Sequence, residues 1–422
     1  MGIFAQIGRA HRKNRRNTIK YMKLARISQV RNLKNKTVLL RVDCNVPIER
    51  GKILDDARIV SSLATITFLR KKGAKIILVS HLGRPGGKVV RSLQLDPVAA
   101  VLSKHLGKAV PKIQTGNWHL TPQRKTILQK RFGTMKPGDV VLCDNIRFSK
   151  HEKHNSGTLA KDLASFADIF VLDGFAVAHR GSASVFGVSG LLKSYAGISL
   201  AKEVSTLDRF LSKRDSTAVA VLGGAKLETK MPVVKRLLPR VRFMLFGGVI
   251  ANTYFRAKKY RVGASLTDMT HKDIICALGK KRKVCMPQDV LVGSVDGSSY
   301  RVVTIKKTPH VICKKDEAIL DIGPQTVLSY SRQIKKAQTI LWNGAMGYFE
   351  QKPYNMGTHA IARTIAARSK GHAYGMIGGG ETIQSMNQVG MLDDIDFVST
   401  GGGAMLAFLS GTVLPGLQHI TK

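Results

Sequence analysis

Acidic side chains are scarce in this 422-residue sequence. Asp and Glu number 27 against 68 Lys and Arg, a formal net charge of +41, and no acid precedes Asp43. A chain so poor in acid attracts polyanions in a salt-dependent, non-specific way, which names no function by itself. Aromatics make up only 6%, which is poor for the stacking platforms of RNA-reading modules. The five cysteines (Cys44, Cys143, Cys276, Cys285, Cys313) are scattered and show no CxxC spacing. That argues against a disulfide framework or zinc site and for a reducing compartment. No apolar run reaches the ~18 residues of a membrane span. There is no secretory signal, internal repeat or Walker A pattern, and no GxGxxG opens the first βαβ unit. What remains is a globular chain of two or three domains at ~150 residues each.

Short apolar runs recur, each followed by polar residues or glycine and then by a helical pattern. In the first half they are Val38–Val42, Lys75–Ser80, Val140–Cys143 and Ile169–Leu172; in the second, Ala218–Leu222, Phe243–Phe246, Thr339–Trp342 and Ala373–Ile377. Runs of four to six apolar residues that alternate with helices are strands buried on both faces. The expected fold class is therefore α/β, with a parallel sheet in each half. The segment Ser189–Leu211 has helical periodicity and is expected to join the halves as a hinge helix.

The two halves carry different chemistry where their strands end. Before about residue 190 the loops hold Asp43, Asn45, Arg58, His81, Arg84, Arg147, His179 and Arg180. After about residue 215 they hold glycine clusters at 223–224, 247–248, 378–380 and 401–403. Ligands of open α/β sheets bind beyond the carboxyl ends of the strands. The first half thus reads as a grip of side chains on a small anion. The second reads as backbone admitting a phosphate chain at helix N-termini. Facing sites of this kind suggest transfer between two bound molecules.

These residues lie in motifs whose order and spacing resemble those of phosphoglycerate kinases. They are Arg-Val-Asp-Cys-Asn-Val-Pro (41–47), Asp-Ala-Arg-Ile (56–59), His-Leu-Gly-Arg-Pro (81–85) and Asn-Ile-Arg-Phe (145–148). Then follow Asp-Gly-Phe-Ala-Val-Ala-His-Arg (173–180), Leu-Gly-Gly-Ala-Lys (222–226), Asp-Ile-Gly-Pro (321–324), Trp-Asn-Gly-Ala-Met-Gly-Tyr-Phe-Glu (342–350) and Gly-Gly-Gly-Glu-Thr (378–382). The resemblance runs from about Lys23 to the end. It implies two Rossmann-like domains and a kinase that moves the acyl phosphate of 1,3-bisphosphoglycerate to Mg-ADP, giving 3-phosphoglycerate and ATP. It assigns the phosphoglycerate to Asp43, Asn45, Arg58, His81, Arg84, Arg147, His179 and Arg180. It assigns the nucleotide to Gly224, Ala225, Lys226, Lys230, Gly248, Asn343, Glu350, Gly379, Gly380 and Thr382. Arg58, Lys226, Gly380 and Gly403 take the catalytic roles, and Glu381 holds Mg²⁺.

The implied organisation is a basic extension at 1–22, a first domain at 23–190 rejoined by 406–422, a hinge helix at 191–212 and a nucleotide domain at 213–405. A cytoplasmic monomer is expected, or an organellar protein if the basic N-terminus is a transit peptide. Nucleic acid is expected only as non-specific electrostatic binding, with no membrane partner. Five positions depart from the family pattern: Leu172 stands for Asn, Val249 for Gly, Ala345 for Pro, Glu381 for the metal-binding Asp and Met405 for Ser. The alternative is a weakened kinase whose basic surface holds RNA or another polyanion.

Overall fold

The structure, a computed structural model, describes residues 22–212, 215–307 and 310–421; the extension expected at residues 1–22 lies outside them apart from Met22. The apolar runs form two six-stranded parallel sheets. The first comprises β1 (Thr37–Arg41), β4 (Lys75–Val79), β5 (Lys112–Ile113), β6 (Val140–Cys143), β7 (Ile169–Leu172) and β8 (Lys193–Ala196), with a small hairpin of β2 (Ile48–Glu49) and β3 (Lys52–Ile53) after β1. Its strand order is β5-β6-β4-β1-β7-β8. The second comprises β9 (Val219–Leu222), β10 (Phe243–Phe246), β11 (Val284–Cys285), β15 (Thr339–Asn343), β16 (Tyr374–Gly378) and β17 (Phe397–Ser399), ordered β11-β10-β9-β15-β16-β17. Central residues such as Leu40, Ile77, Val171, Val221 and Leu341 are fully buried, because helices cover both faces of each sheet.

A third, antiparallel sheet was not expected. It is formed by β12 (Asp289–Gly293), β13 (Tyr300–Thr304) and β14 (Ala318–Ile322), with β12 central and a register shift at Leu291/Val292. It leads into the helix Pro324–Lys335, which returns the chain to β15. The fully buried Asp289 joins the two. Its carboxylate accepts the N–H groups of Gln325 (2.9 Å) and Thr326 (2.7 Å) and the Thr326 hydroxyl (2.6 Å), satisfying donors that a helix N-terminus leaves free.

The hinge helix is shorter than expected. Residues 191–197 are not helical: Lys193–Ala196 is the edge strand β8, and the connecting helix is Ile198–Ser212. Its start is set from a distance. The Thr65 hydroxyl accepts the Ile198 N–H (2.8 Å), and the Asp173 carboxylate accepts those of Ser199 (2.9 Å) and Leu200 (3.1 Å). The return to the first half also begins later than residue 406. The helix Gly403–Ser410 packs along the helix Leu227–Leu237 of the second half. Beyond Gly411 the chain bonds to the backbone of the first half, where Gly416 N–H meets the Ala178 carbonyl (2.9 Å) and Ala25 N–H meets that of Ile420 (2.7 Å). An apolar seam with Phe175 edge-on to Phe408 (6.3 Å) runs between the halves. No described helix is long and apolar enough to cross a membrane, and all five cysteines are free.

Replacing Asp289 by Ala takes the acceptor from the Gln325 and Thr326 amides, while the Thr326 hydroxyl keeps the Asp289 carbonyl (2.9 Å). The substitution should lower the unfolding free energy by roughly 3 kcal/mol, measured by urea titration; a loss under about 1 kcal/mol would refute this account of the helix start.

Candidate active site

Each expected site residue lies at or near the carboxyl end of a strand or on the helix that follows. Asp43 and Asn45 follow β1, His81 and Arg84 follow β4, Arg147 follows β6, and His179 and Arg180 follow β7. Arg58 lies in the first turn of the helix Ala57–Lys71. The buried Asp43 carboxylate accepts from Arg58 Nη1 (3.0 Å) and from the Asn45 N–H (3.1 Å). Arg58 Nη1 also reaches the Asn45 carbonyl (3.2 Å). Asn45 Oδ1 takes the Gly83 N–H (2.8 Å), and Arg147 Nη1 donates to the Gly83 carbonyl (2.5 Å). The β1, β4 and β6 loops are thus laced into one surface. Arg180 is half-buried; burial lowers its pKa, Asp43 opposes that, and Arg84 and Arg58 add to it. These guanidinium groups therefore feel one another. Arg58, Arg84, Arg147 and Arg180 on these laced loops, with Asp43 among them, leave an excess of positive charge suited to a small polyanion.

Beneath them lies a layer that motif reading did not assign. Arg41, 2% exposed, donates to Ser184 Oγ (2.9 Å), to the Val42 carbonyl and to His81 Nδ1 (3.2 Å). Glu152, also buried, binds both the N–H (2.9 Å) and the hydroxyl (2.6 Å) of Ser184. Burial, and then Arg41, Arg180 and Arg58, hold His81 well below its ordinary pKa. His81 is therefore neutral. With Nδ1 accepting from Arg41, the ring proton is assigned to Nε2, which is buried with no partner among the described residues. That places an unpaired donor in the anion cluster.

The second cluster is built from missing side chains. Gly224 follows β9 with φ +73°, and a Cβ there would stand 2.6 Å from Glu381 Oε2 and 3.0 Å from Lys230 Nζ. Only glycine fits. Lys230 is buried; burial lowers its pKa, Glu381 raises it and Lys226 lowers it. Ala225 and Lys226 are exposed on the same loop. Gly248 begins the helix after β10, and Gly380 begins the helix after β16 (Gly380–Gln388). At Gly379 (φ +100°) a Cβ would meet Asn343 Nδ2 at 2.8 Å. Asn343 and Thr382 are buried, and each braces a loop: Asn343 Nδ2 donates to the Gly378 carbonyl (2.5 Å), and Thr382 Oγ1 accepts the Gly344 N–H (2.7 Å). A cavity of about 420 Å³ opens beside them, lined among others by Gly224, Gly248, Val249, Ala345, Glu350 and Glu381. Asp321, from the Asp-Ile-Gly-Pro motif, forms part of its wall and accepts the Ile322 (2.9 Å) and Gly357 (2.6 Å) amides.

Four of the five departures are buried in packed positions, and Glu381 is exposed. Leu172 lies against Gly416, Met405 against Gly378, and the Ala345 carbonyl accepts the Gly224 N–H (2.7 Å). The halves meet at the connecting helix, whose buried Glu203 accepts from Ser399 Oγ (2.7 Å), Thr400 Oγ1 (2.6 Å) and Thr400 N (3.1 Å). They meet again where His179 Nε2 stands 4.0 Å from the place a Cβ would take on Gly403.

Comparison with known proteins agrees with this geometry. The family model for phosphoglycerate kinase matches residues 27–412. The chain is 40% identical to the phosphoglycerate kinase of Pelotomaculum thermopropionicum over 396 residues, covering 92% of this chain and 97% of that one. It is 38% identical to that of Coxiella burnetii over 398 residues, 93% of this chain and 97% of that one. The solved structure of the Coxiella burnetii phosphoglycerate kinase superposes with a TM-score of 0.79 at 37% identity, covering 94% of this chain and 98% of the other. That of the Pyrococcus horikoshii enzyme does so with 0.78 at 31%, covering the same shares.

Burial pushes the Asp173 carboxyl up to about 7, against the pull of its hydrogen bonds from Thr65, Leu200 and Ser199. An unfolded aspartate ionises near pH 4, so between about pH 4 and 7 the folded chain holds the extra proton. The stability contributed by this group therefore falls as pH rises through that window and is constant above it. Asp173→Asn keeps Oδ1 as an acceptor and should flatten that slope in urea unfolding; an unchanged slope would count against the assignment.

Proposed function

Since this chain belongs to the phosphoglycerate kinase family and so transfers phosphate reversibly between 1,3-bisphosphoglycerate and ADP, we propose that its two strand-end clusters divide the substrates. The observation that carries this division is the contrast between them: Arg58 and Arg180 beside Asp43, with Arg84 and Arg147 on the adjoining loops, on one side, and glycine turns with two lysines around an apolar cavity on the other.

In this reading Arg58, Arg84, Arg147 and Arg180 hold the phosphate and carboxylate oxygens of the phosphoglycerate. Asn45 and the His81 Nε2–H add neutral donors, and His179 lines the pocket. The cavity takes the nucleoside, with Glu350 at the ribose and Gly224, Ala225 and Gly248 against its flat faces. Lys226, Lys230, Asn343, Gly379, Gly380 and Thr382 surround the phosphate chain. In the ATP-forming direction an oxygen of the ADP β-phosphate forms the new P–O bond. The bond from phosphorus to the acyl oxygen breaks, and its electron pair leaves as the carboxylate of 3-phosphoglycerate. Attacking and leaving groups are both anions, so no general base is needed. What the protein supplies is alignment and neutralisation of charge. Arg58 and Lys226 neutralise the transferring group from opposite sides, and the amides of Gly380 and Gly403, each opening a helix, assist.

A divalent cation fits at Glu381. Among the described residues no three acidic, His or Cys side chains converge on one point, but Mg²⁺ is commonly held by one or two carboxylates plus the substrate phosphates and water. Glu381 is exposed and faces the glycine turn that receives those phosphates. Bound there, Mg²⁺ would offset phosphate charge.

The same reading makes residues 23–190, rejoined by the C-terminal segment, the phosphoglycerate domain and residues 213–410 the nucleotide domain. It makes the chain a cytoplasmic monomer that meets nucleic acid only through bulk charge. Nothing in the site or in its relatives favours a weakened enzyme that holds RNA.

A coupled assay with 1,3-bisphosphoglycerate and Mg-ADP tests the division. Arg58→Ala should lose on the order of 10²- to 10³-fold in rate; turnover by the unaltered chain no better than that variant would overturn the reading. Calorimetry with and without Mg²⁺ tests Glu381. Glu381→Gln should shrink the gain in ADP affinity that Mg²⁺ brings, and an undiminished gain would exclude the carboxylate as a ligand.

A further inference from the structure

The cavity beside the glycine turns has an unoccupied aromatic at its mouth. Tyr348 is 41% exposed and sits between Gly347 and Phe349, all three lining the cavity. Its backbone is fixed: the N–H donates to the Leu320 carbonyl (2.6 Å) and the carbonyl accepts from the Gln351 N–H (3.2 Å). Among the described residues nothing engages its hydroxyl. Leu266 and Val295 line the same cavity and are 71% and 57% exposed. Three large apolar side chains facing water at one concave opening mark a place where a flat apolar group gains by covering them.

The inner wall offers little for reading a base edge. Both Asp321 oxygens already accept backbone amides, and the buried Asn252 side chain donates to the Ile319 carbonyl (3.4 Å). A base in this cavity would meet mainly apolar side chains and backbone.

We propose that Tyr348 is the aromatic wall on which the nucleobase stacks and that it sets much of the affinity for base-bearing over base-free phosphates. This rests on the cavity being the nucleotide site. Stacking uses the π-face that every base has, so the ring should favour adenine and guanine alike. The lysines do not supply this contribution, because they act on the phosphates, and the glycine turns beside the base carry no ring.

Calorimetric titration of the full chain with ADP, GDP and inorganic pyrophosphate tests the proposal. Tyr348→Ala should weaken ADP and GDP by similar factors, about 5- to 100-fold, and leave pyrophosphate within about twofold of its original affinity. Tyr348→Phe, which keeps the ring, should restore ADP binding. In the coupled assay the KM for ADP should rise by more than kcat falls. Thermal melting of both variants checks the fold, and Tyr348→Val serves as a second ring-free variant. ADP affinity unchanged by removing the ring, or equal losses for ADP and pyrophosphate, would overturn the proposal alone. Failure of the unaltered chain to bind ADP would overturn the assignment of the cavity and this proposal with it.

Discussion

The Asp43 carboxylate gathers side chains that otherwise repel one another. Arg58, Arg84 and Arg180 are close enough to depress the ionisation of one of their number, and two like charges ~4 Å apart cost about 4 kcal/mol in a partly buried setting. Left alone, such side chains splay into water. Asp43 binds Arg58 directly and tempers Arg180. It is itself held by the Asn45 amide at the end of a fully buried strand. The Arg41–Ser184–Glu152 layer beneath braces the floor, and burial first, then Arg41, Arg180 and Arg58, keep His81 neutral, so that it offers a donor without adding charge. One carboxylate does not balance four arginines. The remaining attraction is available to an anionic substrate, which completes the cluster as it binds.

The other half solves a different problem. A phosphate chain must come close to backbone amides, so the walls are turns at Gly224, Gly248 and Gly379 whose positive φ an L side chain adopts only with strain. At Gly224 a methyl group would strike Glu381 and come against Lys230; at Gly379 it would strike Asn343. Side-chain bonds such as Thr382 to the Gly344 amide keep the bare turns in shape. The connecting helix links the two solutions. Its first turn is held by Thr65 and Asp173 of the first half, and Glu203 farther along grips Ser399 and Thr400 of the second. Ser199 also bonds the Ser61 carbonyl, on the helix that carries Arg58. The connecting helix is thereby tied to the helix that carries a cation of the transfer site.

Much of this was legible in the sequence, for a physical reason. Parallel strands covered on both faces are short continuous apolar runs, and every run picked out lies on or within a residue or two of a strand. The catalytic side chains follow those runs because that is where an α/β sheet opens. Three features were hidden because their causes lie far along the chain. The start of the connecting helix depends on Asp173 and Thr65, so periodicity alone carried the helix back across β8. The antiparallel sheet of β12, β13 and β14 lacks the strand-then-helix rhythm that revealed the others. Arg41 looked like the polar end of a strand, and its role needs Ser184 and His81, distant in sequence. The +41 charge announced the chemistry least: six of the 68 Lys and Arg residues are assigned to substrate or transfer roles, and most of the rest belong to the surface.

The central claim is that the two clusters bind the two substrates separately and by different means. Calorimetric titration of the Asp43→Asn variant with 3-phosphoglycerate and with ADP tests it most directly. Releasing Arg58 should weaken 3-phosphoglycerate by about tenfold or more, the scale of one charged hydrogen bond, while ADP binds as it does to the unaltered chain. Undiminished 3-phosphoglycerate binding, or an equal loss for ADP, would contradict the account.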